Sequence, residues 1–266
     1  MPTIRNPAVA GMFYPADSKE LENTIRNFLA DAKADQPVSK AIIAPHAGYV
    51  YSGQTAAKAY ACLAQAANLI KCVVLLGPAH RYPFRGIAAP KADYFATPLG
   101  QIKIDHDMIA KISSLPQITV NDEAHAKEHS LEVQLPFLQI LLKNFSLVPL
   151  VVGMSDADQV AKVLEQLWNG HETLIVVSSD LSHYHDYTTA QKMDKQAAQA
   201  ILDLNPNAIK EEHACGRIPI KGLLHVAAEK KLRVSLIDLC NSGDTAGPKN
   251  HVVGYGAFHF YEEIKQ

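Results

Sequence analysis

The chain is short of several things, and each shortage removes a class of function. Its 266 residues include four cysteines, Cys62, Cys72, Cys215 and Cys240, with no CxxC pair among them. That count excludes a disulfide scaffold and a zinc knuckle, and a reduced, intracellular chain is expected. No apolar stretch approaches the roughly 18 residues of a membrane span. The opening residues, MPTIRNPAVAGMFYPADSKEL, carry no apolar signal region, so a soluble, cytoplasmic protein is expected. Neither sign of charge is in surplus: 25 Lys and Arg against 27 Asp and Glu leave −2. Nucleic acid and anionic membrane both select a basic face, so neither is an expected partner. A GxSxG elbow, a Walker loop, an HExxH pair and a dinucleotide fingerprint are all missing. Repeats and low-complexity tracts are missing too. The nearest thing to a linker, Ala32–Ser39, simply joins a helix to a strand, and one domain over 1–266 is expected.

What is present is a 48% hydrophobic composition, enough to bury a core without staples. Apolar runs at Ala41–Ala44, Cys72–Leu76, Leu147–Val152, Leu174–Val177, Val234–Leu239 and Val252–Phe260 read as strands buried on both faces. Between them lie helix candidates at Ser18–Ala32, Gly53–Ala67, Ser130–Leu142, Asp156–Trp168, Thr188–Leu204 and Ile220–Lys230. In the first, Leu21, Ile25, Phe28 and Leu29 share a face, and Asp17 and Glu20 stand at capping-box spacing. Strands alternating with helices predict an α/β fold around a largely parallel or mixed sheet.

Ligands of such sheets bind beyond the carboxyl ends of the strands. There the sequence places His46 after the first run, His80 after the second, Asp180 and His183 after the fourth, and Cys240 after the fifth. Imidazoles and a thiolate are metal ligands, and rigid strand ends can hold them in register. His46, His80 and Cys240 are therefore the expected metal set. Taken singly, each histidine can equally cap a strand end, and Cys240 can equally be a small buried hydrophobe. Cys62 and Cys72 read as core, and Cys215, in a loop, stays open. Asp180 and His183 suit acid–base work beside a metal; a three-residue offset on a helical turn would put them on one side. Glu128 and His129, opening a helix, can reach the same edge as supporting groups. Tyr49 and Tyr51, in an extended stretch, would aim one way as a pocket wall, with Phe13 or Tyr14 as an apolar lid.

GMFYPAD, APHAGYVYSG, GPAHR, EHSLEVQLPFL, SSDLSHY and DLCNSGDT, in this order, resemble the Memo family, whose bacterial and archaeal members are often called AmmeMemoRadiSam system protein B. The motifs span most of the chain. The resemblance implies a three-layer α/β/α domain similar to class III extradiol ring-cleaving dioxygenases. Those enzymes hold a non-haem Fe(II) on two histidines and a carboxylate. Carried over, His46 and His80 match the histidine ligands, and His183 matches the acid–base histidine with Asp180 beside it. The third ligand position falls on Cys240, where a softer thiolate also suits copper or zinc. Phe13, Tyr49, Tyr51 and His129 would then contact substrate. The implied activity is that of an iron- or copper-dependent oxidoreductase on a small molecule. A peptide- or phospho-ligand-binding module and a zinc hydrolase use the same cleft in the competing readings. The family name further implies association with a radical SAM protein and an Ammecr-type protein.

Overall fold

In chain order the elements are β1 (Ile4–Arg5), α1 (Ser18–Ala30), β2 (Ser39–Ala44), α2 (Tyr49–Ala61), β3 (Cys72–Pro78), β4 (Ile87–Ala89), β5 (Tyr94–Thr97), β6 (Gly100–Lys103), α3 (His106–Ile112), β7 (Ile118–Val120), α4 (Asp122–Ala126), α5 (Leu135–Leu141), β8 (Ser146–Val152), α6 (Ala157–Leu167), β9 (Thr173–Ser178), β10 (His183–His185), α7 (Tyr187–Leu202), α8 (Arg217–Glu229), β11 (Arg233–Asn241) and β12 (Val252–Tyr261). The structure, a computed structural model, describes residues 1–32 and 37–263, so residues 33–36 of the expected linker lie outside the described residues. The large sheet runs β10-β12-β2-β9-β3-β8-β4-β7, with β11 also paired to β12. Its centre is parallel: β2 with β9, β9 with β3, β3 with β8. Strands β2, β3 and β9 are buried at every residue, which is why Ala41–Ala44, Cys72–Leu76 and Leu174–Val177 within them are unbroken apolar runs.

Helices flank this sheet. Helices α1, α2 and α5 pack together, with α2 on β2, β11 and β12; α6 packs on α8, which reaches β3 and β9. The parallel centre brings the carboxyl ends of β2, β3 and β9 to one edge. Strand β11 is antiparallel to β12, and β12 is antiparallel to β2, so β11 ends at that edge as well.

Two local expectations are corrected. The second helix begins at Tyr49, not Gly53, because the Gly48 carbonyl already accepts the Tyr51 and Ser52 amides. Tyr49 and Tyr51 therefore sit on the first turn of α2 instead of an extended stretch, and they diverge: Tyr49 is buried and Tyr51 is exposed. The helix expected over Ser130–Leu142 starts as a tight turn, Glu132–Gln134, and becomes α5 only at Leu135. Pro136 lies at the first positions of α5, where its missing N–H costs nothing.

The buried carboxylate of Glu132 fastens the N-terminal segment over the sheet edge. It pairs with Arg5 and accepts the Ala8 and Val9 amides at 2.7 and 2.9 Å and the Tyr14 hydroxyl at 2.6 Å. Phe13 is thereby carried to the edge, where its carbonyl accepts the Tyr49 amide at 2.7 Å.

Candidate metal centre

His46 follows β2 and is almost fully buried. Its Nδ1 lies 2.8 Å from Ser178 Oγ. The Ser178 hydroxyl donates to the Ser130 carbonyl at 2.6 Å and accepts from Gln134 Nε2 at 2.8 Å. With its own proton spent on Ser130, Ser178 can only accept from His46. Nδ1 therefore carries the hydrogen and Nε2 is left with a free lone pair. Burial, with the neighbouring His80 and His129, lowers the pKa of His46 and keeps it neutral.

His80 follows β3 and reaches the same result by a different partner. Its Nδ1 is 2.9 Å from Glu128 Oε1, and its backbone N–H donates to Glu128 Oε2 at 2.5 Å. Glu128 also accepts the His129 and Ser130 amides at 3.0 and 2.9 Å. Burial alone would raise the pKa of this carboxyl, but His80 and the surrounding amides outweigh it and pull the pKa to about 2. An ionised carboxylate only accepts, so His80 too carries a hydrogen on Nδ1, which leaves Nε2 as its metal-binding atom. A carboxylate behind a metal-binding imidazole is the usual device for fixing tautomer and ring angle. The two rings stand 5.2 Å apart at 75°.

The third member is Cys215, whose Sγ lies 3.4 Å from His46 Nε2. Ligand atoms of His46, His80 and Cys215 all fall within 4.8 Å of one another. Cys215 is placed by the start of α8: the Gly216 amide donates to Ser179 Oγ at 2.9 Å, next to β9. Burial and nearby Asp180 push the Cys215 thiol up to about 12, so its thiolate needs a cation beside it.

Cys240, the expected third ligand, does not join them. Strand β11 runs on through Asn241, so Cys240 lies inside the strand opposite Tyr255. Its Sγ is 3.0 Å from Thr55 Oγ1 on α2, and it lines a small cleft with Asp194 instead of the histidine cavity.

The sequence offered little to favour Cys215, which sits in a loop with no apolar run before it. Its one signal was a cysteine immediately ahead of a glycine-capped helix.

Asp180 and His183 both line the cavity, as do Phe13, Tyr51 and His129. Tyr49 does not; its ring packs on Tyr14 and Phe137. No helical turn joins Asp180 to His183. Asp180 Oδ1 accepts the His46 amide at 2.7 Å, so it braces the turn after β2 and leaves His183 unoriented by it. Burial raises the Asp180 pKa to about 7, against the pull of the His46 and Ala47 amides and of His80. Burial lowers the pKa of His183, with the Leu181 backbone working the other way. The ring of His129 stacks on His80 at 4.7 Å and tilts against Phe13 at 4.8 Å. Tyr184, at a positive φ of 62° on an irregular stretch of β10, stands exposed at the rim. A bulky residue held in that conformation marks a strained rim position. The whole cavity encloses about 720 Å³.

A profile of the family described as "Memo-like protein" matches residues 5–259. A MEMO1 family protein of Archaeoglobus fulgidus is 35% identical over 97% of this chain and 99% of its own length. One from Aquifex aeolicus is 36% identical over 95% of this chain and 97% of its own. A solved structure titled as an uncharacterized protein JW3007 from Escherichia coli K12 aligns with a TM-score of 0.48 at 12% identity, covering 81% of this chain and 98% of that one.

Proposed function

From the premise that the chain belongs to the Memo-like family, we propose that it is a metalloprotein whose iron sits on His46, His80 and Cys215 and serves redox chemistry on a small molecule. One observation carries this reading. Two imidazoles, each held at Nδ1 by a buried partner, converge with a thiol on one face of an open cavity. Two nitrogens and one sulfur on one side leave the cavity side for substrate, the arrangement that open-faced redox sites use. Copper and zinc are compatible with the same donors. When bound, iron would supply a redox couple and a Lewis-acidic centre.

The chain's own residues do the rest. Ser178 and Glu128 hold the two imidazoles, and Asp180 holds the turn that carries His46. His183, whose pKa burial lowers, lines the cavity and serves as the proton acceptor. Phe13 and Tyr51 give apolar walls.

The test is metal analysis and oxygen uptake on anaerobically purified protein, with His46→Ala and His183→Ala alongside wild type. Near-stoichiometric iron is expected in wild type and in His183→Ala, and loss in His46→Ala. Oxygen uptake should fall by about a hundredfold in His183→Ala, as expected for a lost proton-transfer group. Equal metal loss in both variants would contradict the division of roles. Retention of zinc alone, without oxygen uptake, would favour the hydrolase reading.

A further inference from the structure

Resting on the cavity identified above, we infer that its substrate is an organic monoanion, a carboxylate on a planar apolar body, and that Arg81 selects its charge. Among the side chains lining the cavity, Arg81 carries a permanent charge and Asp180 is the one carboxyl. Asp180 is answered inside the protein by the His46 amide and is nearly fully buried. Arg81 stands exposed at the rim and, among the described residues, enters no ion pair. Glu128, the carboxylate that holds the adjacent His80, is spent on that ring and on the His129 and Ser130 amides. Arg81 directly follows the ligand His80, and its charge reaches the His129 imidazole within the cavity. A guanidinium left over at a cavity mouth is a fork for a carboxylate.

The body of the ligand is indicated by the walls. Phe13, Tyr51, Tyr184 and Tyr255 line the same space, and about 720 Å³ suits a small organic molecule. In the metal-free cavity one unanswered cation matches one negative charge, so a dianionic phosphate would carry a charge without a partner.

The experiment measures binding of benzoate, benzamide and phenyl phosphate to the full chain stripped of metal, so that the preference read belongs to Arg81 and not to an ion. Wild type should bind benzoate about tenfold more tightly than benzamide, the scale of one charge-assisted contact. In Arg81→Gln the two should come within about twofold, and Arg81→Lys should recover part of the preference. The inference is overturned if benzoate does not bind, if benzamide binds as well, if Arg81→Gln keeps the preference, or if phenyl phosphate binds more tightly. Metal retention, measured separately on the same preparations, reports on the metal-site reading alone.

Discussion

At the scale of single residues, the site works by holding two imidazoles at Nδ1, so that Nε2 is the atom each offers to a metal. Ser178 does this for His46 and Glu128 does it for His80, and neither partner faces substrate. Replacing Glu128 with Gln keeps the shape but removes the charge that fixes the His80 tautomer. Metal affinity should drop by about 10- to 100-fold, the usual loss when such a support is removed. Competition with a chelator of known affinity measures it; an unchanged affinity would mean that Glu128 only holds the loop. His46, His80, Asp180 and His183 were legible in the sequence because each follows a buried apolar run that ends in a turn. Cys215 was not, because a cysteine in a loop carries no periodicity and its distance to His46 is set by chain folding through β9. Cys240 misled for the converse reason: it follows an apolar run, but the strand continues past it.

At the scale of elements, the start of α8 decides where the thiol sits. Gly216 caps that helix, and a Cβ there would lie 2.6 Å from Ser179 Cβ and 2.9 Å from the Ser178 carbonyl. Ser178 ends β9 and Ser179 directly follows it, so neither neighbour can swing aside cheaply. Gly216→Ala should therefore push Cys215 away from His46, weakening metal binding by at least about tenfold, with a stability loss of about 1–3 kcal/mol from overpacking. Thermal unfolding and chelator competition on the same variant separate the two effects. Unchanged metal affinity would show that the helix start tolerates the shift. The six apolar runs were all legible as strands; five are buried at nearly every residue, whereas β11, also expected to be buried on both faces, is only half-buried along its length. Strands β4 to β7 were not, being three or four residues long and short of any repeating pattern. The first turn of α2 was missed because HAGYVYSG has poor helix formers, and the Gly48 carbonyl, not side-chain propensity, starts the helix.

At the scale of the whole molecule, buried histidines couple stability to acid. His125 is buried with Nδ1 unpartnered, and burial, opposed by the Ala88 carbonyl, lowers its pKa from 6.5 to about 4. The folded chain thus binds fewer protons than the unfolded chain between these values. Stability is fully present above pH 6.5 and is lost as the pH falls through about 4, by up to about 3 kcal/mol for this group. His259, lowered to about 4 by burial, adds to the same limb. Denaturant unfolding of the metal-free chain across that range checks it, and His125→Gln should flatten the slope; an unchanged slope would assign the acid sensitivity elsewhere.

The central claim is that Cys215, and not Cys240, completes the metal set with His46 and His80. Its most direct measurement is iron content and affinity in Cys215→Ser beside Cys240→Ser, prepared anaerobically with wild type. The account predicts near-stoichiometric iron in wild type and Cys240→Ser, and loss in Cys215→Ser. Iron retained in Cys215→Ser but lost in Cys240→Ser would contradict it.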